Sequence, residues 1–366
     1  MGRKLGGGSA DVGRSFADLL RNAKGTEFMK TKIAILGATA IAATAIAQAT
    51  GPAMKAIVIH QYGGPEVLKY EDAPRPEPKE DEILIRVMAA GVNPVDAAIR
   101  QGHMSRFLGE KFPLILGMDV AGVVEKTGAK IGNLKTGDAV YAYLSFKEQG
   151  GYAEFAIAKQ DEVSLKPKNI TFEEAAAVPL AATTAWQALV DTAKIDKGQT
   201  VLIHGGSGGV GSFAVQIAKA RGAKVIATAS AQNQDLLKQL GVDQPIDYTT
   251  TKFEDVVKDV DVVLDAVRGD SLARSYGVVK KGGIIVSITG QPDPTECEKR
   301  GIHGSSLMAH PDAKVLEQLT KLIEAKKITP IVSQVLPLAE AAKAHIQIET
   351  KHTRGKVVLK VADAPK

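Results

Sequence analysis

Thr200-Val201-Leu202-Ile203-His204-Gly205-Gly206-Ser207-Gly208-Gly209-Val210-Gly211 holds an apolar strand, a glycine turn and the opening of a helix. The strand is a continuous apolar run, as expected where both faces of a sheet are covered. After the turn a helical pattern runs to Arg221, and Gly222 stands where a C-terminal cap is expected. The three glycines at 206, 208 and 211 each have a task. The first permits a tight turn, the second lets the backbone approach a diphosphate, and the third brings helix and strand close together. Unpaired amides and the dipole at the helix start favour the negative charge. Gly206, Ser207, Gly208, Gly209, Val210 and Gly211 are therefore the expected cradle of a nicotinamide dinucleotide. A turn without a ligand leaves the close-set glycines unexplained.

Working outward, Lys224 to Thr228 reads as a second strand, and Gln232 to Leu240 as a second helix ended by Gly241. Val260 to Asp265 and Gly283 to Ile288 supply later strands, with a helix around Ser271 to Val279 between them. Strand and helix alternating at this spacing predict α/β architecture, a Rossmann doubly wound parallel sheet over residues 178–327. A helix is expected over 311–327. Upstream the text is strands and turns: Ile83 to Val87 and Val120 to Val124 are β-branched runs bounded by turn residues such as Gly63-Gly64-Pro65. Pro74, Pro76 and Pro78 fall between strands, where a missing N–H costs no ladder bond. A mostly β, antiparallel domain is expected over 54–177, with 328–366 returning to it through a last strand, Lys356 to Val361. Two domains suit a chain of 366 residues.

Residues 1–53 stand apart as an extension that is not part of the fold. Met29-Lys30-Thr31-Lys32 is a basic start, Ile33 to Ala47 is apolar, and Ala47-Gln48-Ala49 has the small-x-small pattern of a signal-peptidase site. The apolar run is too short for a stable membrane anchor. Gly25-Thr26-Glu27-Phe28 reads like a cloning linker, so leader and incidental extension are both open. The net charge is +5, but Lys and Arg are scattered among acids, and no nucleic-acid partner is expected. A single cysteine, Cys297, rules out an internal disulfide and a zinc site built on paired thiolates.

The tip of the second strand bears on the choice of nicotinamide. An NAD site usually carries an acid there, about 20 residues on, bonded to the ribose 2′-OH. Here the tip is Thr228-Ala229-Ser230-Ala231-Gln232-Asn233, with no acid until Asp235. Hydroxyls and amides donate to a 2′-phosphate that a carboxylate repels, so NADPH is favoured. Ser230 and Asn233 are the expected donors, with Tyr248 a third.

Further stretches carry a family resemblance: Gly91-Val92-Asn93-Pro94-Val95-Asp96, Phe112 to Gly122, Gly150-Gly151-Tyr152-Ala153-Glu154-Phe155, Pro179 to Trp186, and His352 to Leu359. Together with the glycine turn, they make residues 54–361 resemble the zinc-free quinone oxidoreductases and alkenal (enone) reductases of the medium-chain dehydrogenase/reductase superfamily. The resemblance implies a GroES-like β domain beside the Rossmann domain, cofactor between them, and a homodimer. It implies that Thr184 lies near the nicotinamide or its phosphates and that Lys356 approaches the cofactor; Val267 and Ile288 are further cofactor-binding candidates. Zinc-dependent relatives have Cys where this chain has Asn93 and His where it has Met118, and neither replacement is a credible zinc ligand. The family often has Lys where this chain has Gln232, which softens the preference for NADPH over NADH.

Without a metal, the expected reaction is hydride delivery to an electron-poor small molecule, a quinone or an α,β-unsaturated carbonyl. Asn93 is the candidate donor to the substrate oxygen, Asp96 orients its loop, and Tyr143 or Tyr141 is a candidate proton donor. A well-capped helix start accounts for Asn93-Pro94-Val95-Asp96 equally well. Tyr152 reads as structural and Cys297 as incidental in a polar loop. The alternative reading is a cofactor-binding protein with a structural or RNA-binding task. NADPH chemistry implies a cytoplasmic location, whereas an active leader at 29–49 implies a periplasmic or exported one.

Overall fold

A computed structural model describes residues 52–109, 111–148 and 150–364. The leader-like segment 29–49 lies outside the described residues. The unit from residue 51 onward is built on three sheets.

The glycine turn belongs to a six-stranded sheet that is parallel throughout. Across the sheet the strands run Gln244–Asp247, Lys224–Ala229, Thr200–His204, Val260–Asp265, Val279–Ser287 and His303–Ser306. In chain order this is 3-2-1-4-5-6, the arrangement whose direction reverses beside the first strand and opens a crevice at the carboxyl ends. Val201, Leu202 and Ile203 are wholly buried because the sheet is covered on both faces. The helix Gly209–Ala220 packs there through Phe213, Ala214, Val215 and Ile217, all without exposure.

Two sheets come from the flanking sequence. Lys69–Pro74, Ala53–Ile59 and Leu114–Ile115 form a three-stranded antiparallel sheet. The other has seven strands, with Glu82–Val92 at its centre pairing Asp119–Thr127, Phe155–Lys159 and Lys356–Lys360. Val357 lies opposite Val92, so the last strand is laid beside one made much earlier in the chain.

Some local expectations needed correction. The segment from Ser271 is helical only to Ser275, and the next strand begins at Val279, earlier than expected. The helix after the second strand starts at Gln234, behind a 3-10 turn over Ala231–Asn233. Cys297 is not in a polar loop. It is buried in the helix Pro294–Arg300, whose start is closed by the Asp293 carboxylate accepting from the Thr295 amide. No helix among the described residues is long and apolar enough to cross a membrane.

Candidate functional site

The glycine turn is held from beneath by the second strand. Gly205 and Gly206 donate their amides to the Thr228 hydroxyl and carbonyl, at 3.2 and 2.9 Å. Gly205 has φ of +73°, a conformation open mainly to glycine. At Gly211 a Cβ would lie 2.0 Å from the Gly205 carbonyl oxygen, so helix and turn could not meet with any larger residue there. The outer face differs. A Cβ at Gly208 would meet only the Gly205 oxygen, at 3.3 Å. No side chain caps the helix, so first-turn amides without an intrahelical acceptor are open to water or a ligand. The cradle fits a dinucleotide diphosphate on these grounds.

Ser230, Asn233, Tyr248, Val267 and Ile288 follow the carboxyl ends of the parallel strands. Ser230 follows the second strand, and its hydroxyl accepts from the Asn233 amide at 3.2 Å. Tyr248 is largely exposed, and its backbone donates to Ala229. An acid that the strand tip itself lacks stands on the neighbouring strand, where Asp247 pairs in register with Ala229. Its carboxylate accepts from the Thr249 amide and hydroxyl, which lower its pKa. Val267 closes over Gly205, 2.6 Å from where a Cβ would be. Ile288 donates its amide to the Asp265 carbonyl. Thr184 is buried in the helix Pro179–Trp186, with its hydroxyl donating to Leu180.

A second cluster adjoins this cradle. Gly355 donates its amide to the Ser207 carbonyl at 2.8 Å, so the segment before the last strand is seated on the glycine turn. The next residue, Lys356, packs its stem against Gly209 and turns its ammonium inward. There it donates to Asn93 Oδ1 at 2.5 Å and to Asp119 Oδ2 at 3.2 Å, only 4% exposed. Lys356 therefore reaches the glycine turn with its stem and spends its charge elsewhere.

Asp119, wholly buried, is the hub. It accepts from the Asn93 amide at 2.9 Å, from Lys356, and from the Leu180 backbone at 2.7 Å at the start of the Thr184 helix. Burial raises its pKa, opposed by Lys356 and the Asn93 amide. Asn93 is held on both sides of its amide. Lysine can only donate and carboxylate can only accept, so the Asn93 oxygen faces Lys356 and its nitrogen faces Asp119. One N–H is spent on Asp119, and the other is the remaining donor of that side chain.

Asp96 closes the helix Pro94–Arg100, accepting from the Asn93 backbone at 2.8 Å. The helix-start reading thus describes Asp96, while the Asn93 side chain turns away to Asp119 and Lys356. Asp96 also accepts from the Tyr152 hydroxyl at 2.8 Å, and burial pushes its pKa up to about 7. Tyr143 lies opposite Asp119 in the sheet, and its hydroxyl donates to the Ala309 carbonyl at 3.1 Å. Burial raises its pKa well above the ordinary tyrosine value. Tyr141 is fully buried and donates to Leu316 at 2.6 Å, a packing arrangement that does not serve a substrate.

Sequence reasoning missed two members. Asp119 lies inside the matching stretch Phe112 to Gly122, where an acid between Met118 and the apolar run Val120-Ala121 is a sign of a buried, partnered carboxylate. Tyr152 was read as structural, yet it donates into the cluster.

Residues 79–168 match the family model described as alcohol dehydrogenase GroES-like domain, and residues 240–359 the one described as zinc-binding dehydrogenase. The chain is 41% identical over 317 residues to the NADPH-dependent alkenal/one oxidoreductase, chloroplastic, of Arabidopsis thaliana, covering 84% of this chain and 79% of that one. Among solved structures it resembles the quinone oxidoreductase of Coxiella burnetii, with TM-score 0.80 and 37% identity over 85% of this chain and 100% of that one. It also resembles the Escherichia coli quinone oxidoreductase complexed with NADPH, with TM-score 0.76 and 30% identity over 84% and 100% of the two chains.

Proposed function

We infer the reaction from one premise: the chain belongs to the quinone oxidoreductase and alkenal reductase family of the medium-chain dehydrogenase/reductase superfamily. It is an NADPH-dependent oxidoreductase whose substrates are small quinones or α,β-unsaturated carbonyls. When bound, the reduced nicotinamide supplies a hydride, and the protein supplies position, dryness and charge stabilisation.

The observation that carries the residue assignment is the doubly held amide of Asn93. We propose Asn93 as the catalytic donor, its free N–H meeting the oxygen on which negative charge develops. Donors set in advance, in a site that excludes water, act strongly on such a charge. Lys356 and Asp119 hold that amide as positioning residues, and the bond from Lys356 draws electron density from its oxygen, sharpening the N–H as a donor. Asp96 holds the Asn93 backbone. The amides from Ser207 to Gly211 would take the diphosphate. Ser230, Asn233 and Tyr248 are proposed at the 2′-phosphate, with Thr184, Val267 and Ile288 beside the rest of the cofactor. The Tyr143 hydroxyl, the candidate proton donor, is turned to the Ala309 carbonyl, and burial raises its pKa.

Steady-state assays with NADPH and NADH in parallel, using 9,10-phenanthrenequinone and a short enone, test the reading. Turnover with NADPH at a higher kcat/KM than with NADH is expected. No turnover above background with either acceptor would remove the reductase reading, and a preference for NADH would remove the assignment of Ser230 and Asn233. We further propose a homodimer, for which the outer edge of His303–Ser306, unpaired among the described residues, offers a seam. A cytoplasmic location is proposed because the reaction draws on NADPH.

A further inference from the structure

Reducing a conjugated acceptor consumes one solvent proton beside each hydride, and the Asn93 cluster is buried. The structure points to how that proton enters. Asp96 and Arg100 lie four residues apart on the helix Pro94–Arg100, and His345 and Glu349 lie four apart on the helix Ala341–Glu349. Residues so spaced share a face, and the two helices pack together. At the outer end Arg100 is paired with Glu349, which is partly exposed. At the inner end Tyr152 donates to Asp96 and sets its ring edge-on to His345, with centroids 5.8 Å apart. Asp96, Arg100, Tyr152 and His345 are all at 0% exposure.

Among the described residues, seven buried side-chain polar atoms have no protein partner. Five of them are Asp96 Oδ1, Arg100 Nε and Nη1, and the two ring nitrogens of His345. Buried polar atoms are nearly always bonded, often to internal water. The chemistry of the set favours water. Arg100 only donates, ionised Asp96 only accepts, and a neutral imidazole does one of each. An anion would meet the Asp96 carboxylate and a cation would meet Arg100, whereas water answers every atom.

We propose that Arg100, His345, Tyr152 and Asp96 line an internal water path that carries solvent protons from the Glu349 end to the acceptor site. Burial and the charge of Arg100 lower the His345 pKa to about 3, so the imidazole stays neutral. It takes a proton at one nitrogen as it gives one up at the other. For each proton entering from solvent one is delivered to the reduced acceptor, and the relay is reset when the imidazole tautomer and the water chain turn back. His345 and Tyr152 are positioning residues in this scheme, which rests on the reductase reading.

The test has two arms. A high-resolution crystal structure of the whole protein is expected to place ordered water within hydrogen-bond distance of Arg100 Nε, Asp96 Oδ1 and His345. Its absence overturns the proposal whatever the activity. In the second arm, His345→Phe is expected to lower kcat for a short enone by at least about tenfold. The solvent deuterium effect on kcat should rise, the primary effect from deuterated NADPH should fall, and the KM for NADPH should stay within about twofold. His345→Gln, which keeps a donor and an acceptor, should recover part of the rate. A His345→Phe enzyme with both isotope effects unchanged overturns the relay. Should that variant fail to fold, Tyr152→Phe removes one oxygen and is read in the same way. Wild-type turnover of the enone tests the reductase reading separately.

Discussion

Lys356→Met is expected to destabilise the protein by about 3–5 kcal/mol, the range for removing one partner of a buried ion pair. The substitution keeps the length of the stem and its contact with Gly209, so packing is largely spared. What it removes is the charge beside Asp119, a carboxylate at 0% exposure that also binds Asn93 and Leu180. Chemical denaturation with urea measures the loss. The double variant Lys356→Met with Asp119→Asn should be more stable than Lys356→Met alone, because the uncompensated charge is gone. Additive effects in that cycle would show that the two residues do not couple. The Lys356→Met enzyme should also lose rate, since nothing then holds the oxygen side of the Asn93 amide.

Asn93→Ala is expected to lower kcat by about 10²–10³-fold, the cost of removing one preset donor to a developing oxyanion. NADPH affinity should hardly change, because the cradle lies on the glycine turn and is not built from this side chain. Fluorescence titration of NADPH separates the two effects. Asn93→Asp is the sharper variant: similar in shape, it replaces the free N–H with an acceptor and sets a second carboxylate beside Asp119. It should be at least as slow as Asn93→Ala. If either variant keeps kcat within about threefold of the wild type, Asn93 is not the donor and the amide serves only to tie Lys356 to Asp119.

How much of this the sequence disclosed follows from the range of each interaction. The glycine turn was legible because its spacing is local: Gly206, Gly208 and Gly211 sit between a strand and a helix that their own residues form. Strand and helix alternation is local too, so a parallel sheet could be expected, whereas its strands Gln244–Asp247 and His303–Ser306 were not read from the sequence. Asn93 and Asp96 could be singled out, since Asp96 acts three residues from its partner. The environment of Asn93 could not. Asp119 stands 26 positions away and Lys356 263, and no periodicity links such distant groups. Lys356 was expected at the cofactor because its segment was; nothing local says that the ammonium turns inward. The error at Cys297 was of another kind. Asp293-Pro294 is a helix-start signal that was present in the text, and the polar residues after it masked one buried face.

The span between Asn93 and Lys356 also bears on how the protein is made. At about 5–20 residues per second, a ribosome adds Lys356 roughly 13–50 s after Asn93. For most of that interval the nascent chain holds Asp119 without its cation and the central strand without the neighbour that Val357 and its successors provide. The β-rich half cannot reach its final form during translation, and its unpaired strand edge is open to chaperones and to other chains. Biogenesis, rather than the finished enzyme, is where changes near Lys356 should first be felt in a cell.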